Sequence, residues 1–213
     1  MVAGCRAWCR LVVLAGVAAG VAPAWAEGAA GERLKVLQGD PVKLKAAAEA
    51  GRRIASFCIN CHGEGGVSKS PEVPNLAGQN PAYLLDQIRT FGSGERKDPF
   101  MQGLIKVLKE DERADLAVYF GSLAVPAGKS DAALAASGKA AFGKLCARCH
   151  GEEARGNETI PRLAGQQAEY LKRTIARYRD KTGERIYPLM QIATATLKNE
   201  EIAALASYLA ALP

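Results

Sequence analysis

One block of sequence occurs twice in this chain of 213 residues, and this duplication constrains the fold more than any other feature. The pentapeptide Cys58–His62 returns as Cys146–His150, and the hexapeptide Pro74–Gln79 returns as Pro161–Gln166 with five of its six residues identical. Later landmarks keep the same order at offsets of 87 to 89 residues. The sequence therefore predicts two copies of one module, each of about 80 to 90 residues.

Within each copy the apolar residues recur at helical spacing. The pair Asp40-Pro41 is a typical helix start, as an N-cap followed by a first-turn proline, and Ser130 or Asp131 is the corresponding cap in the second copy. Further helices are predicted after Asn80-Pro81, at the end of each copy, and at the matching middle position of the second copy. Two-residue alternation is lacking, so we predict an all-α fold.

The predicted organisation has five parts. Residues 1–26 form a signal peptide, 27–45 an N-terminal extension, 46–124 the first domain, 125–130 a Pro/Gly linker and 131–213 the second domain. Residues 27 to 39 contain glycines and have no repeat counterpart, so an irregular segment is expected there.

The repeated Cys-x-x-Cys-His pattern is typical of covalent haem attachment. On one helical turn two thiols three residues apart can both add to the haem vinyl groups, and the adjacent histidine can reach the iron. The sequence predicts two haem c groups, attached through Cys58 and Cys61 and through Cys146 and Cys149. A thioredoxin-like site would need a βαβ context, a zinc site would need a fourth ligand, and disulfides would leave both histidines unexplained.

Few residues of this chain can serve as iron ligands. His62 and His150 are the two histidines of the chain, and after the initiator only Met101 and Met190 are methionines. Each methionine lies 39 or 40 residues after its histidine and two residues after a proline. A lone methionine is usually core filling, but the duplication favours Met101 and Met190 as second axial ligands. A filled sixth position argues for electron transfer and against catalysis.

Other repeated residues have two interpretations. Pro74 and Pro161 could supply the carbonyl that accepts a hydrogen bond from a ligating histidine, or could only form turns. Tyr83, Tyr170, Arg96 and Arg185 could bind haem propionates, or the tyrosines could belong to the core.

The N-terminus has the pattern of an export signal. Arg6 and Arg10 precede an apolar run of about 12 residues, shorter than the roughly 20 of a membrane-spanning helix, and the run leads into Ala24-Trp25-Ala26. Cleavage before Glu27 would leave 26 basic and 22 acidic residues, with the excess in the second half. That excess could dock an acidic protein or be ordinary solvated surface. Without a basic cluster or motif, no nucleic-acid partner is predicted.

Taken together, tandem Cys-x-x-Cys-His motifs, each followed by Pro-x-Leu-Ala-Gly-Gln and by a methionine after proline, resemble the dihaem cytochrome c4 family over residues 46 to 213. The resemblance implies two tandem class I cytochrome c domains, each wrapped around one covalent haem and related by a pseudo-twofold axis. It also implies that the carbonyls of Pro74 and Pro161 accept the histidine N–H. It further implies a periplasmic protein that transfers electrons and is not an enzyme. The expected partners are a respiratory donor such as a bc1-type complex and a terminal oxidase as acceptor. Peripheral association with the membrane is compatible with the resemblance.

Two departures from the family keep other functions in view. The extension is longer than usual and could be a docking element, and Arg113 stands where the second copy has apolar Ile202. The alternative function is a cytochrome subunit of a periplasmic dehydrogenase that oxidises sulfide or an alcohol. A third is a catalytic dihaem enzyme, which would need an open iron.

Overall fold

The structure is a computed structural model that describes residues 28–125, 128 and 131–213. The predicted signal peptide and most of the predicted linker lie outside the described residues. Within these ranges the regular structure is helical, without strands. The helices are α1 Gly28–Gln38, α2 Pro41–Ile54, α3 Ile59–His62, α4 Pro81–Ser93, α5 Pro99–Ile105, α6 Glu110–Gly121, α7 Ala132–Leu145, α8 Ala147–His150, α9 Ala168–Asp180, α10 Pro188–Thr194 and α11 Asn199–Ala211.

The helices α2–α6 and α7–α11 form two modules with the same order of elements. In the first, α2 packs along α6 and α4 packs on α6; in the second, α7 and α9 pack on α11 in the same way. Each module has its own apolar cluster, centred on α6 in the first and on α11 in the second. The all-α fold with two repeated units is therefore confirmed.

Local sequence signals set the helix starts. The Asp40 carboxylate accepts hydrogen bonds from the backbone N–H groups of Val42 and Lys43, at 3.0 and 3.2 Å, and so caps α2 as predicted. In the second module Asp131, one of the two predicted caps, accepts from the N–H of Ala133 at 2.9 Å, and Ser130 lies outside the described residues. These caps place the two long helices that lead into the Cys-x-x-Cys-His segments.

The N-terminal segment differs from the prediction. The prediction of an irregular segment is wrong, because Gly28–Gln38 is a helix that packs on α6 with Leu34 and Leu37 buried. Arg33 of this helix donates three hydrogen bonds of 2.7 to 3.0 Å to the carboxylate of Asp115 in α6. The segment is thus part of the first module's core, and its apolar face lies on that module.

The last helices of the two modules differ where α1 packs. Asp115, the partner of Arg33, corresponds to Ala204 in α11. Arg113 is partly buried and pairs with Glu110, whereas its counterpart Ile202 lies in the second apolar cluster. The first module therefore uses charged residues at positions that are apolar in the second. None of the described helices is both long and apolar enough to cross a membrane.

Candidate functional site

Each Cys-x-x-Cys-His segment folds into a single helical turn. The backbone N–H of His62 bonds the carbonyl of Cys58 at 3.0 Å, and His150 bonds Cys146 at the same distance. One turn of helix brings side chains three residues apart onto the same face. The predicted attachment pairs are thus together in both modules, and none of these four cysteines, Cys61 and Cys149 included, is joined in a disulfide.

The first thiol of each pair is half-buried and the second is exposed. Burial raises the pKa of the Cys58 thiol, and it raises the pKa of the Cys146 thiol to about 11. Redox-active Cys-x-x-Cys sites depend on the opposite shift, a lowered thiol pKa that supplies thiolate near neutral pH. The environment of Cys58 and Cys146 therefore disfavours a thioredoxin-like reaction, because it keeps these two thiols protonated near neutral pH.

Both histidines are buried and held by a proline carbonyl. His62 is 7% exposed and its Nδ1 lies 2.8 Å from the carbonyl oxygen of Pro74; His150 is 6% exposed and its Nδ1 lies 3.0 Å from that of Pro161. The proposed hydrogen bonds to Pro74 and Pro161 are present, so Nδ1 donates its proton to the carbonyl. The remaining ring nitrogen, Nε2, is the one left for a metal.

Burial also sets the charge of these rings. It lowers the pKa of His62 and of His150, and the hydrogen bonds to the proline carbonyls only partly oppose this effect. A neutral imidazole is the form that ligates iron, so the pockets select the protonation state that a metal ligand needs.

The two methionines occupy equivalent places. Met101 lies in α5 and Met190 in α10, each half-buried and at the third position of a helix that begins with proline. The Asp98 carboxylate accepts a hydrogen bond from the backbone N–H of Met101 at 3.0 Å, which caps α5. The short helices place both thioethers at the same position of their modules.

A cluster of polar side chains joins the modules. Arg96 and Arg185 both donate to Gln87 Oε1, at 2.8 and 3.0 Å, and both donate to the Tyr170 hydroxyl, at 3.2 and 3.3 Å. Arg185 also donates to the hydroxyl of Tyr83. The two tyrosine hydroxyls thus lie at the module boundary, bonded to arginines.

These guanidinium groups carry a positive charge without a matching acid. Across the described ranges, no carboxylate lies within 4 Å of Arg96 or Arg185. Burial alone would raise the pKa of Tyr170, but the charges of Arg96 and Arg185 outweigh burial and hold that pKa below its ordinary value. Half-buried charges of one sign are normally paired, so the cluster suits anionic groups of a ligand.

Comparison with known proteins agrees with this geometry. The family model "Cytochrome c" matches residues 135–213, and the family model "Cytochrome C oxidase, cbb3-type, subunit III" matches residues 45–120. Cytochrome c4 of Pseudomonas aeruginosa is 37% identical over 177 residues, which cover 78% of this chain and 88% of that protein.

The chain belongs to the cytochrome c4 family.

Other cytochrome c4 relatives extend the comparison to structure. Reduced recombinant cytochrome c4 from Pseudomonas stutzeri superposes with a TM-score of 0.73 at 34% identity, covering 78% of this chain and 98% of that one. A protein named thiosulfate dehydrogenase electron acceptor, from Thiomonas intermedia, is 34% identical over 75% of this chain and 80% of its own length. As a cytochrome c4, the protein is an electron-transfer protein that exchanges electrons with redox partners.

Membership of the cytochrome c4 family implies two covalently bound haem c groups, one for each Cys-x-x-Cys-His motif. The side chains present fit such a group. Each motif offers two free thiols and a buried neutral imidazole with Nδ1 already bonded, and the module boundary offers unpaired guanidinium groups. Thiols can bond to the haem vinyl groups, a neutral imidazole can bind the iron, and guanidinium groups can bind the propionates.

Sequence reasoning missed two residues of this region. Gln79 and Gln166 end the repeated hexapeptide, and their side chains bond the backbone of the opposite module. Their identity in both copies was the available signal, since a polar residue outside the apolar stripe has no local reason to recur.

Proposed function

We propose that the protein is a periplasmic dihaem electron carrier that passes electrons along a respiratory chain towards a terminal oxidase. In this proposal Cys58 and Cys61 hold one haem and Cys146 and Cys149 the other. The observation that carries the proposal is the duplicated turn in which a buried, neutral histidine follows two free thiols. Bound haem supplies a one-electron iron couple.

His62 and His150 are the proposed proximal ligands. Their Nδ1–H bonds to proline carbonyls fix the tautomer and orient each ring, so that Nε2 would be the nitrogen available to bind a haem iron. Each imidazole remains neutral because burial lowers its pKa. Both rings are therefore prepared for ligation by their own module.

Met101 and Met190 are the proposed distal ligands. Both histidines are already assigned, and the methionines occupy matching positions in α5 and α10. A thioether ligand favours ferrous iron and raises the reduction potential relative to a second histidine. A methionine bound to the iron would also leave no position open for oxygen or peroxide, so this assignment supports electron transfer rather than catalysis.

Export to the periplasm is proposed from the signal peptide of residues 1–26. N-terminal sequencing of protein purified from its host is expected to begin at Glu27. A mature chain that still begins at residue 1 would contradict export by cleavage.

A second function is favoured by a specific relative. The Thiomonas protein is named as the electron acceptor of a thiosulfate dehydrogenase, and this chain could accept electrons from a comparable dehydrogenase. In this second proposal the electron donor is a dehydrogenase that oxidises thiosulfate rather than sulfide or an alcohol. In the carrier proposal the donor is a respiratory complex such as a bc1-type complex.

Stopped-flow spectroscopy separates these functions. Reduced protein mixed with host membranes is expected to be oxidised in a cyanide-sensitive reaction if it supplies a terminal oxidase. Oxidised protein mixed with a periplasmic fraction is expected to be reduced only after thiosulfate is added if it is a dehydrogenase acceptor. The carrier proposal is contradicted when membranes leave the reduced protein unchanged while the same membranes oxidise another cytochrome c.

A further inference from the structure

The two Pro-x-Leu-Ala-Gly-Gln loops hold each other across the module boundary. Gln166 Oε1 accepts the backbone N–H of Asn75 at 2.7 Å, and Gln166 Nε2 donates to the backbone carbonyl of Asn75 at 3.0 Å. Gln79 makes the same two bonds to Arg162: its Oε1 accepts the backbone N–H at 2.7 Å, and its Nε2 donates to the backbone carbonyl at 2.9 Å. Each amide therefore pairs with both backbone groups of one residue in the other module.

Asn75 and Arg162, whose backbones are bonded by the glutamines, directly follow Pro74 and Pro161, whose carbonyls accept from the histidines. The N–H of Asn75 and the carbonyl of Pro74 belong to one peptide group, which is planar and rigid. That group accepts from His62 Nδ1 at 2.8 Å through its oxygen and donates to Gln166 through its nitrogen. A continuous hydrogen-bonded chain thus runs from the ring of His62 through one peptide to Gln166 of the other module.

The second module has the reciprocal chain. His150 Nδ1 donates to Pro161 at 3.0 Å, and the N–H of the same peptide, on Arg162, donates to Gln79 at 2.7 Å. The same arrangement thus occurs twice, made by identical histidine, proline and glutamine residues at equivalent positions, so it is not an accident of packing at one place.

The glutamines are themselves firmly held. Gln79 is 6% and Gln166 7% exposed. Each Oε1 also accepts the next backbone N–H of its own module, from Asn80 at 3.0 Å and from Gln167 at 2.9 Å. The amides cannot move without breaking bonds to both modules, so they can fix the peptides they grip.

We propose that Gln79 and Gln166 are positioning residues for the proximal histidine of the opposite module. The inference rests on the proposed function in taking His62 and His150 as iron ligands. Hydrogen bonds in series polarise one another, so an acceptor on the N–H strengthens the proline carbonyl as an acceptor for the ring. A more strongly bonded Nδ1–H makes the imidazole a better electron donor and lowers the haem potential.

The test uses the mature holoprotein with Gln166→Leu or Gln79→Leu. Leucine keeps the volume of the side chain and removes all three hydrogen bonds of the amide, two to the opposite module and one to the next N–H of its own module. A redox titration followed by NMR resolves the two haems and the ring resonances of the two histidines. Gln166→Leu is expected to raise the potential of the His62 haem and move the His62 Nδ1–H resonance, and Gln79→Leu is expected to do the same for His150.

Two controls separate positioning from loss of the interface. Arg173→Ala removes an exposed ion pair of 2.6 Å with Glu72 of the other module and touches neither proline peptide, so the Nδ1–H resonances of both histidines should stay unchanged. Gln166→Glu keeps an oxygen acceptor for the Asn75 N–H, and its negative charge makes that acceptor stronger. The His62 Nδ1–H resonance of this variant should therefore move in the direction opposite to that of Gln166→Leu. This variant also decides the question if Gln166→Leu does not fold.

The crossed pattern is the decisive outcome. The proposal is overturned if each leucine variant alters the haem of its own module, alters both haems equally, or alters neither. It is also overturned if Gln166→Glu shifts the His62 resonance in the same direction as leucine does. If the wild-type histidine rings lack the paramagnetic shifts of iron ligands, the proposed ligation itself fails, which is a separate result.

Discussion

Gly138 of α7 packs directly against the backbone carbonyl of Ala204 in α11. A Cβ atom added at Gly138 would lie 2.1 Å from that oxygen, and in the first module a Cβ at Gly51 would lie 2.1 Å from the carbonyl oxygen of Asp115. Both contacts are with backbone, which cannot swing aside as a side chain can. The same crossing of long helices therefore depends on glycine in both modules.

Gly138→Ala is expected to destabilise the second module by about 2 kcal/mol or more, because overpacking against backbone forces the helices apart. Gly143→Ala in the same helix is the matched control, since a Cβ there meets nothing within 4 Å. The control should gain up to about 1 kcal/mol from better helix propensity. Urea unfolding of the holoproteins by circular dichroism measures both, and equal stability of the two variants would contradict the crossing.

The contact of Arg33 with Asp115 provides a second prediction. Arg33→Ala leaves the buried carboxylate of Asp115 without its partner and should cost about 1–3 kcal/mol in unfolding free energy. Asp115→Ala should cost less, because the Arg33 side chain is 38% exposed and can be solvated.

The double variant Arg33→Ala/Asp115→Ala removes the uncompensated carboxylate and places at position 115 the alanine that the second module has at position 204. It should therefore be more stable than Arg33→Ala alone, which a double-mutant cycle by urea unfolding will show. Additive single effects would mean that α1 is not held by this pair.

Removing the half-buried charge of Arg185 should change the reduction potentials of both haems. Arg185→Met is expected to lower the reduction potentials, because a nearby positive charge favours the reduced, less positive haem. The expected change is on the order of 1 kcal/mol, the interaction of two unit charges about 4 Å apart in water-like surroundings. Arg185→Lys keeps the charge and serves as the control in a spectroelectrochemical titration. Unchanged potentials in Arg185→Met would contradict a role of this cluster towards the haems.

Much of this arrangement could be predicted from the sequence, because its signals are local or repeated. The spacing within Cys58–His62 and Cys146–His150 predicts one helical turn, and Asp40-Pro41 predicts the start of α2. The recurrence of Met101 as Met190 identifies a matched pair even though a single methionine carries little information.

The features that could not be predicted depend on contacts distant in sequence. Arg33 meets Asp115 across 82 residues, and α1 gains its stability from packing Leu34 on α6 rather than from its own propensity. Gln79 reaches Arg162 across 83 residues, so its repetition signalled importance without revealing its partner.

The most direct test of the account is a redox titration of the holoprotein with Met101→Ala and Met190→Ala, followed by optical spectroscopy. Each variant should keep both covalent haems but lose about half of the methionine-to-iron charge-transfer band, and one of its two haems should fall in potential. Phe100→Ala and Leu189→Ala, which replace exposed neighbours of the two methionines, should keep the full band. If neither methionine variant changes a haem, or if either one changes both haems, the proposal of one His/Met haem in each module is wrong.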